Sequence, residues 1–177
     1  MVLEKAVVMD GEKIRRTLVR MTHEIIERNK DLEDLIIVCI KNGGNDLGKI
    51  IQQNILDIEG KVIPLIYLDI RAYRDDLKPM SESKPDFSLL SVTDKVVVLV
   101  DDVLYTGRSV RAALDALNDL GRARKVELAV LIDRGHRELP IRADFVGKNV
   151  PTARKESVLV DMQEELPLSS VTIVEGE

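Results

Sequence analysis

Two adjacent carboxylates, Asp101 and Asp102, stand a few residues before the run Thr106-Gly107-Arg108-Ser109. An apolar run before them predicts a buried strand, and the residues after them predict a helix that begins near Ser109. Free backbone N–H groups and the helix dipole favour a phosphate at such a helix start. Carboxylates would repel that phosphate, but they accept hydrogen bonds from vicinal sugar hydroxyls or coordinate Mg²⁺ shared with a ligand. The pattern predicts a ribose 5-phosphate site, against the alternative of an ordinary capped helix with acidic residues nearby.

The elements that must position this loop alternate along the chain. Apolar runs predict buried strands at residues 35–40, 95–100 and 126–132, and apolar residues at helical spacing predict helices at residues 10–29, 47–58 and 109–120. Shorter strands are expected near residues 145, 158–160 and 171–174, and Pro64 favours an edge position or a bulge in a strand at 62–70. Alternation of this kind is typical of a mostly parallel α/β sheet, which binds ligands at the carboxyl ends of its strands. We expect one such domain over residues 1–177.

The composition of the 177 residues limits the possible functions. Hydrophobic residues make up 45% and charged residues 32%, as in ordinary globular proteins. The net charge of −5 argues against a surface coated in positive charge for non-specific nucleic-acid binding, although it permits a local basic face. The single cysteine, Cys39, lies in an apolar run and is expected to be a buried hydrophobe. Because no apolar stretch approaches the ~20 residues that span a bilayer and no signal pattern is present, we expect a cytoplasmic protein without a membrane partner.

Two polar segments flank the predicted site. Residues 41–46, Lys-Asn-Gly-Gly-Asn-Asp, predict a turn directly after the first buried strand. Residues 74–94 contain Pro79 and Pro85 and predict a long mobile loop. Loops of that length are uncommon in compact domains and are usually functional.

Residues 97–109 closely resemble the phosphoribosyl pyrophosphate (PRPP) binding motif of the type I phosphoribosyltransferases. Residues 103–108, 133–144 and 147–152 narrow this resemblance to the PyrR family, pyrimidine-operon attenuators that double as uracil phosphoribosyltransferases. Residues 23–30 and 73–77 match as well, so the resemblance covers nearly the whole chain. It implies the type I phosphoribosyltransferase fold, in which a central, mostly parallel sheet is flanked by helices and carries a small hood.

The resemblance also implies a reaction, in which uracil and PRPP give UMP and pyrophosphate, with Mg²⁺ bound through PRPP. It implies that Asp101 and Asp102 hold the ribose hydroxyls and the Mg²⁺, and that Arg74 begins a flap over the pyrophosphate; these three are the expected catalytic residues. The pyrimidine or its nucleotide is implied to lie between Arg134 and the backbone near Val158. The residues expected to bind PRPP or the nucleotide are Asn42, Gly43, Val103, Leu104, Tyr105, Thr106, Gly107, Arg108, Ser109, Arg134 and Val158.

Two departures from the family pattern fall on the pyrophosphate side. The family's loop after the first strand reads Thr-Arg-Gly after the lysine, whereas this chain has Gly43 where the arginine is expected. Loss of a bidentate phosphate donor predicts weaker PRPP binding and turnover, and Gly43→Arg is then expected to raise uracil phosphoribosylation. The stretch 78–94 is also shorter than the family's flap.

The resembling family binds a stem-loop in the leader RNA of pyrimidine genes when UMP or UTP occupies the active site. RNA readers of this kind need cations for the phosphate backbone. The basic candidates are Arg15, Arg16, Arg20, His23, Arg137, Arg142, Lys148, Arg154 and Lys155. Val19 stands where the family tends to have a threonine. The alternative for the helical residues is a solvated helix face, and with a negative net charge an RNA site would need a concentrated face, completed across a homodimer or larger homo-oligomer.

Three hypotheses follow. The first is a bifunctional uracil phosphoribosyltransferase and RNA-binding regulator. The second is a non-enzymatic, UMP-responsive RNA regulator. The third is a salvage transferase without an RNA role. The glycine at position 43 favours the second hypothesis over the third, and the basic series from Arg137 to Lys155 favours the first two over the third.

Overall fold

The computed structural model of the protein describes residues 3–76 and 90–175. In chain order the elements are β1 (Leu3–Asp10), α1 (Gly11–Arg28), β2 (Leu35–Ile40), α2 (Asn45–Glu59), β3 (Leu65–Leu68), β4 (Val96–Leu104), α3 (Arg108–Leu120), β5 (Lys125–Asp133), β6 (Phe145–Asn149), β7 (Glu156–Asp161) and β8 (Ser170–Glu175). Short 3₁₀ turns lie at Arg71–Tyr73 and Leu166–Leu168. No helix in this part of the chain is both long enough and apolar enough to cross a membrane.

Five strands form a central sheet in the order β3-β2-β4-β5-β6, and every neighbouring pair is parallel. Alternate residues of β4 face opposite sides, so Val98 and Val100 pack with α1 and α2 while Val97 and Leu99 pack with α3. Helices on both faces explain why these strands are continuous apolar runs. The predicted α/β fold with a parallel sheet is confirmed.

Three further strands form a smaller antiparallel sheet in the order β1-β8-β7, which we call the hood. Met9 of β1 and Val171 of β8 are buried in the same hydrophobic cluster as β2 and β4, so the hood packs on the main core. Strand β1 was absent from the sequence prediction, because residues 4–7 are exposed and their pattern has too few buried positions to indicate a strand.

The structure refines several predicted boundaries. Asp10 caps α1, since its carboxylate accepts from the Lys13 amide at 2.8 Å. Strand β3 starts only after Pro64 and lies at the sheet edge. Strand β4 continues to Leu104, so the two carboxylates belong to the strand and not to the loop after it. Most of the loop predicted at 74–94 lies outside the described residues.

Cys39 is fully buried, and its burial raises the pKa of the thiol to about 12. A Cβ atom added at Gly48 of α2 would lie 2.0 Å from the Cys39 Sγ. The glycine therefore allows α2 to pack closely on β2, and Cys39 is the small buried hydrophobe that the sequence predicted.

A buried carboxylate, Glu127, ties the end of α1 to the start of β5 and is 1% exposed. It accepts a hydrogen bond from Asn29 Nδ2 at 2.6 Å. Its Oε1 lies 2.7 Å from Lys125 Nζ and 3.0 Å from Arg28 Nε, as ion pairs without favourable hydrogen-bond angles. Buried charge is costly unless it is paired, so this cluster depends on all of its members.

We expect Glu127→Ala to lower the free energy of unfolding by about 2–4 kcal/mol, because buried Asn29 loses its acceptor and two cations lose their counter-charge. Urea denaturation measures this loss. The control is Asp115→Ala, which breaks the exposed pair with Arg111 and should cost less than about 1 kcal/mol. Equal losses in both variants would contradict a stabilising role for Glu127.

Candidate functional site

The carboxyl ends of four parallel strands meet at one edge of the central sheet. Leu68 of β3 is in register with Ile40 of β2, and Cys39 of β2 is in register with Val100 of β4. On the other side, Leu104 of β4 is in register with Asp133 of β5. The loops that follow these strands therefore lie side by side along the edge where such sheets bind ligands.

The loop between β4 and α3 offers free amide donors. Gly107 has a φ of 93°, in the left-handed region that favours glycine, and α3 begins at the next residue without a side-chain cap. Within residues 3–76 and 90–175, the amides of Gly107, Ser109 and Val110 have no hydrogen-bond acceptor. These unpaired N–H groups at a helix N-terminus form an anion site.

Three carbonyl groups at the end of β4 and in this loop are held by the segment that follows β5. The Leu104 carbonyl accepts from the Arg134 amide at 3.0 Å, and the Thr106 carbonyl accepts from the Glu138 amide at 3.0 Å. The Tyr105 carbonyl accepts from Arg137 Nη1 at 2.8 Å. Anchoring the carbonyls in this way fixes the loop and leaves its amides for a ligand.

Asp101 and Asp102 stand beside this anion site. A cavity of about 170 Å³ is lined by Arg74, Asp76, Asp101 and residues 103–110, which brings together most of the predicted site. Asp101 is 6% exposed, and its Oδ1 accepts from the Asp102 amide at 3.0 Å. Burial, and then the charge of Asp102, raise the pKa of Asp101 well above its ordinary value. The pair would therefore gain from hydroxyl donors or from a cation.

Arg74 reaches the same cavity from the segment after β3. Its Nη1 donates to Ser109 Oγ at 2.6 Å, and its Nε donates to Asp76 Oδ1 at 2.6 Å. The hydrogen bond with Asp76 raises the pKa of Arg74, and the guanidinium in turn lowers the pKa of Asp76. The neighbouring Asp75 lies 3.3 Å from Arg108 Nη1. In the ligand-free protein, acidic side chains thus neutralise the cations at the phosphate site.

The loop after β2 packs directly against the carboxylate pair. A Cβ atom added at Gly43 would lie 2.6 Å from Asp102 Oδ1 and 2.7 Å from Asp101 Oδ1. A Cβ at Gly44 would lie 2.1 Å from the Val100 carbonyl oxygen. A side chain at position 43 would therefore require the ends of the two carboxylates to shift, and the effect of Gly43→Arg on uracil phosphoribosylation stays a prediction.

Arg134 joins this site to the hood. It is 5% exposed, its Nε donates to Thr152 Oγ1 at 3.0 Å, and its Nη2 donates to the Glu156 carbonyl. Its guanidinium carbon lies 3.9 Å from the centroid of the Tyr105 ring. Val158 lies two residues beyond Glu156 in β7, the strand that contacts β4. A cavity of about 500 Å³ beside Arg134 is lined by residues 133–137, Asn149, Pro151 and Thr152.

The predicted basic residues fall into separate groups. Arg15 and Arg16 are exposed and pair with Glu12, and His23 is exposed on the same helix. Arg20 donates to the Gly147 carbonyl at 2.7 Å, which places α1 beside β6. Lys148 of β6 meets Lys13, whose proximity lowers the pKa of Lys148.

Sequence reasoning missed Lys13, because nothing in the sequence indicated that α1 packs beside β6. Arg142 and Arg154 are exposed, and Lys155 pairs with Glu175 in the hood. Arg137 differs from the other basic candidates, because it is half-buried. It donates to the Ile141 carbonyl at 2.9 Å and to the Tyr105 carbonyl in the loop between β4 and α3.

The acidic side chains at the site suit a metal ion that binds together with a phosphate-containing ligand. Within residues 3–76 and 90–175, no three His, Cys, Asp or Glu side chains converge as a metal site. Mg²⁺ is commonly held by one or two carboxylates together with substrate phosphates and waters. Asp101 and Asp102 supply that number of carboxylates. A larger cavity of about 550 Å³ at the C-terminal end of α3 is lined by no carboxylate and is not a candidate.

Known proteins show the same organisation. The family model for the phosphoribosyl transferase domain matches residues 8–165. A protein named bifunctional protein PyrR from Pelotomaculum thermopropionicum is 55% identical over 167 residues, which cover 93% of this chain and 92% of the relative. A protein of the same name from Acetivibrio thermocellus is 52% identical, over 99% of this chain and 97% of the relative.

Solved structures with similar folds are more distant in sequence. Hypoxanthine phosphoribosyltransferase from Trypanosoma cruzi, in complex with IMP, superposes with a TM-score of 0.73 at 16% identity, over 98% of this chain and 92% of the other. The hypoxanthine phosphoribosyltransferase from Staphylococcus aureus gives a TM-score of 0.72 at 19% identity, over 96% and 91% of the two chains. At these identities the likeness establishes the fold.

Proposed function

The chain belongs to the phosphoribosyltransferase family and, within it, to the bifunctional PyrR proteins, and from this premise we propose its function in detail. The protein transfers the 5-phosphoribosyl group of PRPP to uracil, giving UMP and pyrophosphate. With a uridine nucleotide bound, it binds the leader RNA of pyrimidine genes and promotes transcription attenuation.

One observation carries the catalytic half of the proposal. Amides without acceptors at the start of α3 share one cavity with the buried Asp101, whose neighbour is Asp102, at the carboxyl edge of a parallel sheet. The amides suit the 5-phosphate, and Asp101 and Asp102 suit the ribose hydroxyls. The pyrimidine then falls on the β5 side, between Arg134 and the hood strand that carries Val158. The pyrophosphate falls on the opposite side, towards β2 and β3.

The reaction needs positioning and charge stabilisation and no covalent intermediate with the protein. The bond between the anomeric carbon and pyrophosphate breaks, and its electrons leave with the pyrophosphate. A uracil nitrogen forms the new bond to that carbon and loses its proton. Positive charge builds up on the ribose in between, so the nearby carboxylates stabilise it, and Arg74 stabilises the departing anion. Mg²⁺ bound with PRPP, held by Asp101 and Asp102, would supply further charge neutralisation.

The RNA-binding half rests on family membership together with the basic surface of α1 and β6. Arg20 and Lys148 lie close together there, with Lys13 beside them. We propose that this surface contacts the RNA backbone, with His23 and Arg142 as further candidates. That a homodimer or larger homo-oligomer completes the surface stays a prediction.

A second candidate function is a UMP-responsive RNA regulator with little transferase activity. Gly43 favours this second candidate, because the loop beside Asp101 and Asp102 lacks the arginine of the family pattern. The two candidates share the nucleotide site and the RNA surface, and they differ only in turnover.

Two measurements on one preparation test the proposal. We expect radiolabelled uracil and PRPP to give UMP, and a pyrimidine-leader RNA to shift in a native gel at least about tenfold more tightly with saturating UMP than without it. The control RNA has the same composition and a scrambled loop. An RNA shift without turnover would select the second candidate, and turnover without a shift would leave only a salvage enzyme. The absence of both turnover and an RNA shift would overturn the proposal.

A further inference from the structure

The guanidinium of Arg134 is a buried cation without a charged partner. Arg134 makes no ion pair with the residues that the structure describes, and the adjacent carboxylate of Asp133 pairs with Arg137. The groups that contact the guanidinium are all uncharged: the Thr152 hydroxyl, the Glu156 carbonyl and the face of the Tyr105 ring. Since burying a charge is costly unless it is paired, the position of the guanidinium depends on each of these three contacts.

One nitrogen of this guanidinium is left for a ligand. Nε and Nη2 of Arg134 donate to the hood segment, whereas Nη1 has no acceptor among the described residues and is not an enclosed atom. Arg134 lines the cavity of about 500 Å³ that begins at Asp133, so Nη1 opens on that cavity. Because a guanidinium can only donate, its partner there must be an acceptor such as a carbonyl oxygen of a pyrimidine.

We propose that Tyr105 is a positioning residue of the base site, whose ring fixes the plane of the Arg134 guanidinium and so directs Nη1 at a carbonyl oxygen of the base. This inference rests on the proposed function, which places the pyrimidine beside Arg134. It assigns part of the affinity for the base to a side chain of the loop that binds the phosphate.

The Tyr105 ring is held from two sides. The Arg134 guanidinium carbon lies 3.9 Å from the ring centroid, well inside the ~6 Å over which an aromatic face attracts a cation. The His136 ring meets the Tyr105 ring edge-on, with centroids 6.0 Å apart and planes at 75°. Thr152 connects the two neighbours, because its hydroxyl accepts from Arg134 and its carbonyl accepts from His136 Nε2. The four residues therefore form a closed cluster around the ring.

The backbone ties the same residues together. Pairing of β4 with β5 sets Leu104 beside Asp133, and the Arg134 amide donates to the Leu104 carbonyl at 3.0 Å. His136 has a φ of 61°, which is uncommon for a residue other than glycine and is kept where the surrounding contacts fix the chain. The ring and the guanidinium are thus set against each other by the fold as well as by their own contact.

Tyr105 stands between the two cavities that the nucleotide is proposed to occupy. Tyr105 lines the cavity of about 170 Å³ at the start of α3, and Arg134 lines the larger cavity beside the hood. The amides proposed to bind the phosphate belong to Gly107, Ser109 and Val110 and do not depend on the Tyr105 side chain. Removing the ring should therefore weaken binding of the base and spare binding of the ribose phosphate.

The test compares UMP with ribose 5-phosphate, which has no base, by calorimetry on the wild type, Tyr105→Leu, Tyr105→Phe and the control Tyr67→Leu. Tyr67 is exposed on β3 and its ring lies 5.9 Å from Lys49 Nζ, so the control removes a cation–ring pair far from the base site. We expect Tyr105→Leu to weaken UMP binding about tenfold or more, and ribose 5-phosphate binding less than about twofold, because a buried cation loses its aromatic face. Tyr105→Phe keeps that face and should recover most of the UMP affinity, and Tyr67→Leu should change neither affinity.

Turnover and a double-mutant cycle distinguish positioning from direct contact with the base. In Tyr105→Leu the KM for uracil should rise about tenfold while the KM for PRPP stays near the wild-type value, because only the contact to Arg134 is lost. If Tyr105 acts through Arg134, adding Tyr105→Leu to Arg134→Met should cost less than about twofold in UMP affinity. A further tenfold loss in that double variant would show that Tyr105 acts independently of Arg134 and would overturn the inference.

The comparison of Tyr105→Leu with Tyr105→Phe decides the question even if Arg134→Met does not fold. Wild-type UMP affinity in Tyr105→Leu, equal losses in Tyr105→Leu and Tyr105→Phe, or equal losses of UMP and ribose 5-phosphate would each overturn the role of Tyr105. None of these results would affect the transferase function itself. A wild-type protein that binds neither UMP nor ribose 5-phosphate would instead refute the proposed function.

Discussion

Asp101→Asn should weaken UMP binding about ten- to a hundredfold and should also make the folded protein more stable at neutral pH. The first effect follows because a neutral amide replaces the charged acceptor for a ribose hydroxyl, and hydrogen bonds to charged groups contribute about 1.5–3 kcal/mol. The second follows because Asp101 is buried against Asp102, which raises its pKa well above the ordinary value. Functional sites commonly carry such a cost in stability.

The sign of the pH dependence follows from that raised pKa. The folded state holds the Asp101 proton more tightly than the unfolded state, so the group favours folding below its unfolded pKa of about 3.9. This contribution is lost as pH rises from there through the folded pKa. Asp101→Asn should flatten this part of the stability curve. UMP affinity of the wild type should rise over the same range, because the ionised carboxylate is the better acceptor.

Thermal unfolding and UMP calorimetry across pH measure both effects. A gain of 1 kcal/mol corresponds to a rise of about 2–4 °C for a domain of this size. Asp115→Asn on the exposed face of α3 is the matched control and should change neither quantity. UMP affinity that stays at the wild-type level in Asp101→Asn would remove Asp101 from the ribose site.

Arg137→Ala should cost the protein most of its UMP affinity although Arg137 was first predicted to contact RNA. Its guanidinium donates to the carbonyls of Tyr105 and Ile141 and pairs with Asp133 at 2.5 Å. In Arg137→Ala, the carbonyls of Tyr105 and Ile141 and the carboxylate of Asp133 lose their donor. Leaving a buried acceptor without a hydrogen bond costs about 1–3 kcal/mol. The loop that presents its amides to the phosphate then loses its support, so we expect a loss of UMP affinity of about tenfold or more.

Arg142→Ala is the control from the same segment, because Arg142 is exposed and makes no hydrogen bond or ion pair with the residues that the structure describes. It should bind UMP normally and bind leader RNA more weakly. The two assignments are separated by UMP calorimetry without RNA, in which a direct RNA contact has no influence. Normal UMP binding by Arg137→Ala would return Arg137 to the candidate RNA surface.

Much of the fold could be predicted because its strands are buried on both faces. Residues 35–40 and 96–100 are continuous apolar runs, and each is followed by turn residues and a helical pattern. Strand β1 is exposed on both faces over residues 4–7 and has only a short apolar stretch, so its sequence carries little signal. The end of β4 was misplaced because Asp101 and Asp102 are polar residues within a strand, a local conflict of the kind expected at a functional site.

The positions of side chains relative to other loops could not be predicted from spacing. Asp101 and residues 106–109 lie close in sequence, and the structure places them around one cavity. The proximity of Gly43 to the carboxylates depends on the pairing of β2 with β4, and that of Arg134 to Tyr105 depends on the pairing of β4 with β5. A sequence pattern contains neither pairing, so the closeness of Gly43 to Asp101 and Asp102 could not be predicted from the sequence.

A structure of the protein with bound UMP tests the central claim most directly. We predict that the nucleotide phosphate accepts hydrogen bonds from the amides of Gly107, Ser109 and Val110, and that the ribose hydroxyls donate to Asp101 and Asp102. A phosphate found away from the start of α3, or a ribose turned away from the two carboxylates, would contradict this assignment.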